Sequence, residues 1–405
     1  MNRHALVIVL LTICTCMFAA APHAYGENWP EFRGPTADGH STATNLPLKW
    51  SEQENIRWKI PIPGKAWSSP VVWDNLIWLT TALEDGTEMR VMAIDLQSGK
   101  VVHDIQLWEI KDPQYAHATN SHASSTPAIE AGRLYAHFGS NGTAAVDTRT
   151  GAVLWKRLDL ECDHHRGAAS SPIIFENLLI LTFDGFDVQF LIALNKETGE
   201  TVWKVDRNIH PATLDGDYKK AYGTPRILKI GEELQLISPS AGATVAYDPR
   251  TGKELWRVLS GGMNAAARPL FGNGMIYATT AAGGWQLFAM RPGGHGDISK
   301  SHVEWKYAKA VPTRSSPLLN DDRIYMVNDT GIISCVNAKT GKSVWVERVG
   351  GNFSSSPIYA DGKIYFFNET GTALVLKPAD NYELLATNEL SEGMMASPVA
   401  VDGSL

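Results

Sequence analysis

Eight times along this chain of 405 residues, a step of two small residues and a proline introduces an apolar run, a tight turn and a second apolar run, at intervals of 40 to 57 residues. The prolines are Pro70, Pro127, Pro172, Pro225, Pro269, Pro317, Pro357 and Pro398, with steps such as Ser68-Ser69-Pro70 and Ser355-Ser356-Pro357. One closed core gives no reason for such regular punctuation. Repeats of this length build radial or stacked architectures in which each unit packs on its neighbours.

A turn signal follows each proline: Asp74-Asn75, Ala131-Gly132, Glu176-Asn177, Gly231-Glu232, Asn273-Gly274, Asp321-Asp322, Asp361-Gly362 and Asp402-Gly403. Most of these pairs accept the positive φ of a two-residue hairpin loop. They join short runs rich in Val, Ile, Tyr and Phe, as in residues 76–81 and 364–367, which are of strand length. Each repeat therefore opens with a β-hairpin.

A third signal runs from Ala145-Val146-Asp147 through Gly151 to Trp155, and returns at 193–203, 246–256 and 335–345; at 93–99 it lacks its tryptophan. A small residue suits crowded strands, Asp or Asn bonds its own turn backbone, Gly takes the left-handed position, and the indole packs in the next strand. This second hairpin completes four strands per repeat. Trp155, Trp203, Trp256, Trp305 and Trp345 are accordingly read as structural wedges between repeats.

Four antiparallel strands in each of eight units predict an all-β, eight-bladed propeller. Blade strands are expected near residues 67–107, 124–158, 169–206, 222–258, 266–308, 314–348 and 354–386, and the eighth blade begins at Met395. That blade stops at Gly403-Ser404-Leu405, inside its second strand. A piece lacking a short C-terminal stretch is the favoured reading over an incomplete last blade with an open edge. Residues 55–60, around Trp58, are expected to supply its outer strand and so close the ring.

The pattern Ala-x-Asp-x-x-Thr-Gly-x-x-x-Trp at residues 145–155 resembles the tryptophan-docking repeat of pyrroloquinoline quinone (PQQ) dehydrogenases and of their non-enzymatic relatives, the PQQ-like propellers. The resemblance runs from about Trp29 to Leu405. The opening Asn28-Trp29-Pro30-Glu31-Phe32-Arg33-Gly34-Pro35 is further similar to exported PQQ-like repeat proteins of planctomycete-type bacteria. The architecture is similar to the propeller lipoprotein of the outer-membrane assembly machine.

Arg3 and His4 precede the apolar run 5–21, and Ala24-Tyr25-Gly26 is a small-x-small cleavage site, so residues 1–26 read as an export signal and 27–405 as one propeller domain. A lipidated Cys14 or Cys16 is the minor alternative. No other stretch is long and apolar enough to span a bilayer. Residues 1–26 contain Arg3 and no acid, so their removal takes the formal charge from −7 to −8. An acidic chain of this kind argues against nucleic acid. A periplasmic or secreted monomer is expected, and no disulfide between Cys162 and Cys335, which fall in distant repeats.

In a propeller the link from one blade's outer strand to the next blade's inner strand opens at the channel mouth. Residues five and three places before the prolines converge there and supply Trp67, His122, Lys220, Tyr222, Asn264, Arg314 and Asn352, to which the connection 161–166 adds Arg166; these are the candidate ligand-binding set. Arg166, Lys220 and Arg314 could form an anion clamp, against ordinary surface solvation. The run Glu161-Cys162-Asp163-His164-His165-Arg166 and the residues His117, Asn120 and His122 lack the paired spacing of a metal motif and are read as loop-bonding. Asp184-Gly185-Phe186-Asp187 and Asp215-Gly216-Asp217 are read as turns rather than calcium loops.

The resemblance implies two functions. One is a quinoprotein oxidising an alcohol or sugar, with PQQ and Ca²⁺ in the central funnel and a carboxylate base beside the substrate. The chain has no adjacent cysteine pair, no Cys-x-x-Cys-His and few carboxylates at the mouth. The favoured reading is therefore a non-catalytic scaffold that needs no cofactor and binds an envelope protein, a peptide or a small ligand.

Overall fold

The computed structural model describes residues 27–209 and 216–405; residues 1–26, with Cys14 and Cys16, and Asp215 lie outside the described residues. In the first repeat Val71–Trp73, Leu76–Ala82, Glu88–Asp95 and Val101–Glu109 pair in chain order as an antiparallel sheet. The same succession recurs in six more sheets, the last made of Ile358–Ala360, Lys363–Phe367, Thr372–Lys377 and Glu383–Glu389. The hairpin turns lie where the sequence places them: Asp74, Asn273, Asp321 and Asp361 take φ between 51° and 53°. In every sheet the register slips near the end of the third strand, as between Ala145 and Val146 or Cys335 and Val336, and the first sheet slips a second time between Met89 and Arg90. The bulge re-aims the chain into the Asp-x-x-Thr-Gly turn.

The eight small-Pro steps are joined by a chain of hydrogen bonds. Ser69 N–H donates to Thr126 Oγ1 at 3.0 Å, Thr126 to Ser171 Oγ at 3.0 Å, and Ser171 to Thr224 Oγ1 at 3.0 Å. Arg268 continues to Ser316 Oγ at 3.0 Å, Ser316 to Ser356 Oγ at 2.9 Å and Ser356 to Ser397 Oγ at 2.9 Å. Ser397 N–H then reaches Ser69 Oγ at 3.1 Å and closes the ring. The one missing link follows Thr224, because Arg268 has no hydroxyl to offer. The proline after each step has no N–H, so each donor is turned to its neighbour rather than to a ladder.

The core is a ring of interfaces. One cluster joins Trp78 and Val91 of the first sheet to Leu134 and Ala144 of the second. Another packs Val399, Ala400 and Val401 of the eighth repeat with Tyr365 and Val375 of the seventh sheet, together with Trp29, Trp50 and Leu96. Free, buried Cys162 and Cys335 belong to different clusters.

On the face away from the mouth, indoles bolt several sheets to the next. Trp155 Nε1 donates to Lys196 O at 3.0 Å, Trp305 to Ala338 O at 3.1 Å and Trp345 to Ala379 O at 3.2 Å. A Cβ on Gly199, which has φ +76°, would lie 2.8 Å from the Trp155 ring, so glycine is required there twice over. Trp256 departs from the expectation: fully buried, it donates to Gln235 Oε1 of its own sheet at 3.0 Å. The fifth repeat lacks the docking turn, and Gly296–Asp297 instead pairs parallel to the strand that carries Trp256. Residues 55–60 form no ladder, yet Trp58 Nε1 donates to Leu96 O at 3.0 Å over Gly99, in the docking position the eighth repeat would otherwise fill.

Candidate functional site

The mouth face is built from the links between sheets and the loops between second and third strands. At its third and fourth repeats it sinks into a buried polar cluster. Asp184, the last residue of the strand Leu178–Asp184, is not the turn residue the sequence suggests. Its Oδ2 accepts from Arg207 Nη1 at 2.7 Å and from Ser240 Oγ at 3.1 Å, and its backbone carbonyl accepts from Lys220 Nζ at 2.8 Å. Burial pushes the Asp184 carboxyl up against the pull of Arg207. Lys220 is 1 % exposed, and burial holds its ammonium below the usual lysine range.

Beside this pair lies a cavity of about 10 Å³ lined by His137, His164, Thr182, Asp184, Lys220 and Tyr222, room for one water. Asp184 Oδ1 and Thr182 Oγ1, both buried, take no hydrogen bond among the described residues. Burial pulls His137 down to about 3 and His164 in the same direction, so both rings are neutral. Burial likewise pushes the Cys162 thiol up to about 12, so it is no thiolate nucleophile.

Part of the expected mouth set converges here. Lys220 Nζ stands 4.9 Å from the Tyr222 ring centroid, Asn264 N–H donates to Lys220 O at 2.8 Å, and Arg166 Nη2 bonds Asp217 Oδ2 at 2.9 Å. Burial pushes the Tyr222 hydroxyl up to about 12, with the Arg166 charge opposing. The others stand apart. Lys65 Nζ lies 5.8 Å from the Trp67 ring, and His122, half-buried, packs over Gly86 with burial lowering its pKa. Arg314 pairs with Glu369 at 3.0 Å and lies 3.9 Å from Asp329, while Asn352 is exposed and accepts from Glu369 N–H through its carbonyl. The three cations of the supposed clamp are thus each held by a different acceptor.

The channel axis holds a group that sequence reasoning passed over. Residues 29–41 enter from the face opposite the mouth and cross the innermost strands. Trp29 bridges Val72, Pro30 O accepts from Ile129 N–H at 2.8 Å, and Gly39 O accepts from Tyr359 N–H at 2.9 Å. Arg33 donates to the carbonyls of Pro357, Pro317 and Asp38; burial holds its pKa down at about 9. Arg226 Nη2 reaches Thr36 O at 2.7 Å and Asp38 Oδ2 at 3.2 Å, and Arg268 reaches Pro225 O at 3.1 Å, Phe32 O and Glu31 Oε2. Both positions carried a signal: Arg226 stands where other repeats have Val71, Ala128, Ile173 or Leu318, and Arg268 where they have Ser or Thr.

A family model described as outer membrane protein assembly factor BamB matches residues 42–160, 189–293 and 300–392, more than half of the chain. The chain belongs to this family of PQQ-like propellers. Within it, the chain is 26 % identical over 244 residues to the quinohemoprotein alcohol dehydrogenase ADH-IIG of Pseudomonas putida, a match covering 55 % of this chain and 32 % of that one. It is 24 % identical over 244 residues to the outer membrane protein assembly factor BamB of Shewanella oneidensis, covering 55 % and 56 %. The matches thus span about a third of the one relative and just over half of the other. The crystal structure of quinohemoprotein alcohol dehydrogenase from Comamonas testosteroni superposes with a TM-score of 0.65 at 14 % identity, over 91 % of this chain and 74 % of that one, which is a likeness of fold.

Quinone-dependent PQQ-like propellers raise the question of whether these residues could hold PQQ and Ca²⁺. Calcium takes six to eight oxygen ligands, carboxylates foremost. Among the described residues no three His, Cys, Asp or Glu side chains converge as a metal ligand set. The arginines on the axis, the natural partners of a carboxylated quinone, are spent on the chain's own carbonyls and acids. The residues present do not fit that pair of groups.

Proposed function

We propose that this protein is an exported, non-catalytic propeller of the cell envelope, whose mouth face is a binding scaffold for a protein or peptide partner. The observation that carries this reading is the filling of the channel axis by the chain's own residues 29–41, tied down through Arg33, Arg226 and Arg268. A rigid disc with a stoppered channel has one face free for recognition. On that face Trp67 and Tyr222, each beside a lysine, and the exposed Asn352 are the kind of aromatic and polar anchors that dominate interfaces. The match to an assembly-factor family favours a protein partner, and the leader-like residues 1–26 favour the envelope. No helix among the described residues is long and apolar enough to cross a membrane. The alternative, a PQQ-dependent dehydrogenase of an alcohol or sugar, is favoured by the sequence likeness to the Pseudomonas putida enzyme.

A photo-crosslinking side chain at His122 or Asn352, on the mouth face, and another at Lys253, on the opposite rim, test the reading in exporting cells. Crosslinks to one envelope protein from the mouth positions only are expected. Equal labelling from both faces, or none from the mouth, would overturn it.

A further inference from the structure

Between the fifth and sixth sheets the mouth face carries a groove of about 340 Å³ that shares no lining residue with the Lys220 cavity; its walls include Trp285, Ala308, Ala310, Thr313, Asn328 and Asp329. Trp285 is 51 % exposed, the most exposed tryptophan among the described residues, and it sits in the loop between the second and third strands of its sheet. It is not a loose side chain. Its Nε1 donates to Thr313 Oγ1 at 3.3 Å, which fixes the indole as one wall of the groove. The indole thus leaves an apolar face open to solvent while its N–H already has a partner within the protein.

The floor is made of side chains that leave space. Ala308, Ala310 and Val311 are small, and Ala310 takes φ +50°, a left-handed conformation that costs alanine energy and that glycine or asparagine would adopt more cheaply. Strain of this kind tends to persist where a local shape is needed. The opposite rim is polar. Asn328 Oδ1 is used up by Thr330 N–H at 3.2 Å and Ile332 N–H at 2.8 Å, so its amide nitrogen is the group left to donate outward. Asp329 Oδ1 accepts from Thr313 N–H at 3.2 Å, and its second oxygen takes no hydrogen bond among the described residues.

Charge decides between ligand classes. A discrete anion would meet the Asp329 carboxylate. A discrete cation would meet Arg314, whose Nε lies 3.9 Å from Asp329 Oδ1. A neutral molecule with one apolar face and a fringe of hydroxyls suffers neither repulsion: its C–H face lies on the indole, while its hydroxyls donate to Asp329 and accept from Asn328. The volume is at the small end of ligand clefts, roughly 300–1,000 Å³, which suits one or two rings rather than a long chain. From this arrangement we infer that the groove at Trp285 is a binding site for a neutral pyranose sugar, free or at the end of a glycan. The site goes beyond the partner-binding reading and does not depend on it.

The test uses the full processed chain and four probes: D-glucose, N-acetyl-D-glucosamine and their β-1,4-linked disaccharides, titrated by calorimetry and by tryptophan fluorescence. Saturable binding of at least one probe is expected, weakened tenfold or more by Trp285→Ala, less by Trp285→Phe, and measurably by Asp329→Asn. Because Trp285 is half exposed, the variants should melt as the parent does, which separates lost binding from lost fold. Three results would overturn the inference: no saturable binding of any of the four sugars, sugar binding that survives Trp285→Ala unchanged, or saturable binding of choline in their place. Crosslinking of a protein partner at His122 bears on the scaffold reading and leaves this result untouched.

Discussion

Trp58 donates its indole N–H to the Leu96 carbonyl at 3.0 Å and lies over Gly99, the same contact that Trp155 makes with Lys196 over Gly199. A residue near the start of the chain thereby performs for the eighth repeat what an outer-strand tryptophan performs elsewhere. Trp58→Ala should cost about 2–4 kcal/mol, the scale of emptying a large aromatic site that is only partly buried. Urea unfolding followed by tryptophan emission checks this, with Trp345→Ala as the comparison; a loss under 0.5 kcal/mol would mean that Trp58 is ornamental. Deleting residues 27–60 should abolish cooperative unfolding altogether.

The stopper in the channel predicts a pattern of amide protection. Ile129 and Tyr359 donate their N–H groups to Pro30 and Gly39 of the crossing segment. Arg33→Ala removes donors to three carbonyls and should cost about 2–4 kcal/mol, less than three times the roughly 1.5–3 kcal/mol of one charged hydrogen bond because the Pro317 contact is long and the buried guanidinium carries a desolvation cost that the variant relieves. Hydrogen exchange at Ile129 and Tyr359 should accelerate tenfold or more in that variant, while amides of the outer strand Thr201–Asp206 stay as they were.

The buried pair Asp184 and Arg207 should punish single substitutions. Arg207→Met leaves the carboxylate facing Lys220 and Ser240 without its main partner, at a cost of about 3–5 kcal/mol. Adding Asp184→Leu should recover part of that loss, since apolar replacement of both partners removes the unpaired charge. Thermal melts of the two variants give the answer directly; a double variant worse than Arg207→Met alone would contradict it.

Buried neutral histidines make stability fall with acid. His137 is held down to about 3 by burial, whereas an unfolded histidine titrates near pH 6.5. Above that value both states are neutral and the full stability is present. Below it the unfolded chain binds a proton that the folded chain refuses, and stability drops by about 1.4 kcal/mol per pH unit until the folded value is reached. His164, shifted the same way, adds to the slope. Urea midpoints at pH 7.5 and pH 5 should therefore differ clearly, and His137→Gln, which keeps a partner for Thr143 Oγ1, should flatten the difference.

Much of this fold is legible in local pattern. Hairpin turns, docking glycines and the tryptophans that sit over them are short-range chemistry, and Asp74, Gly199 and Trp155 stand where such chemistry puts them. The small-Pro step is visible too, but as the punctuation that opens each repeat; its second residue is a hydrogen-bond relay, which shows only once Ser69, Thr126 and Ser171 are seen side by side. Residues 55–60 read as a strand because of their composition, yet they form no ladder and dock through Trp58. Long-range pairs escaped altogether. Nothing in the spacing marks Asp184 and Arg207 as partners, which the pairing of the third sheet brings to one end, or Arg33 and Pro357, which meet only because residues 29–41 cross the axis. The anomalies at Arg226 and Arg268 were readable as breaks in an otherwise regular column and point straight at the axis.

The central claim, that the channel belongs to the chain itself and not to a quinone, is tested most directly by titrating the processed protein with PQQ in the presence of Ca²⁺, with dye reduction followed in parallel on small alcohols and sugars. The stoppered axis predicts no saturable quenching and no turnover, in the parent chain and in Arg268→Ala alike. Saturable binding with dye reduction would make this a compact quinoprotein and would contradict the account.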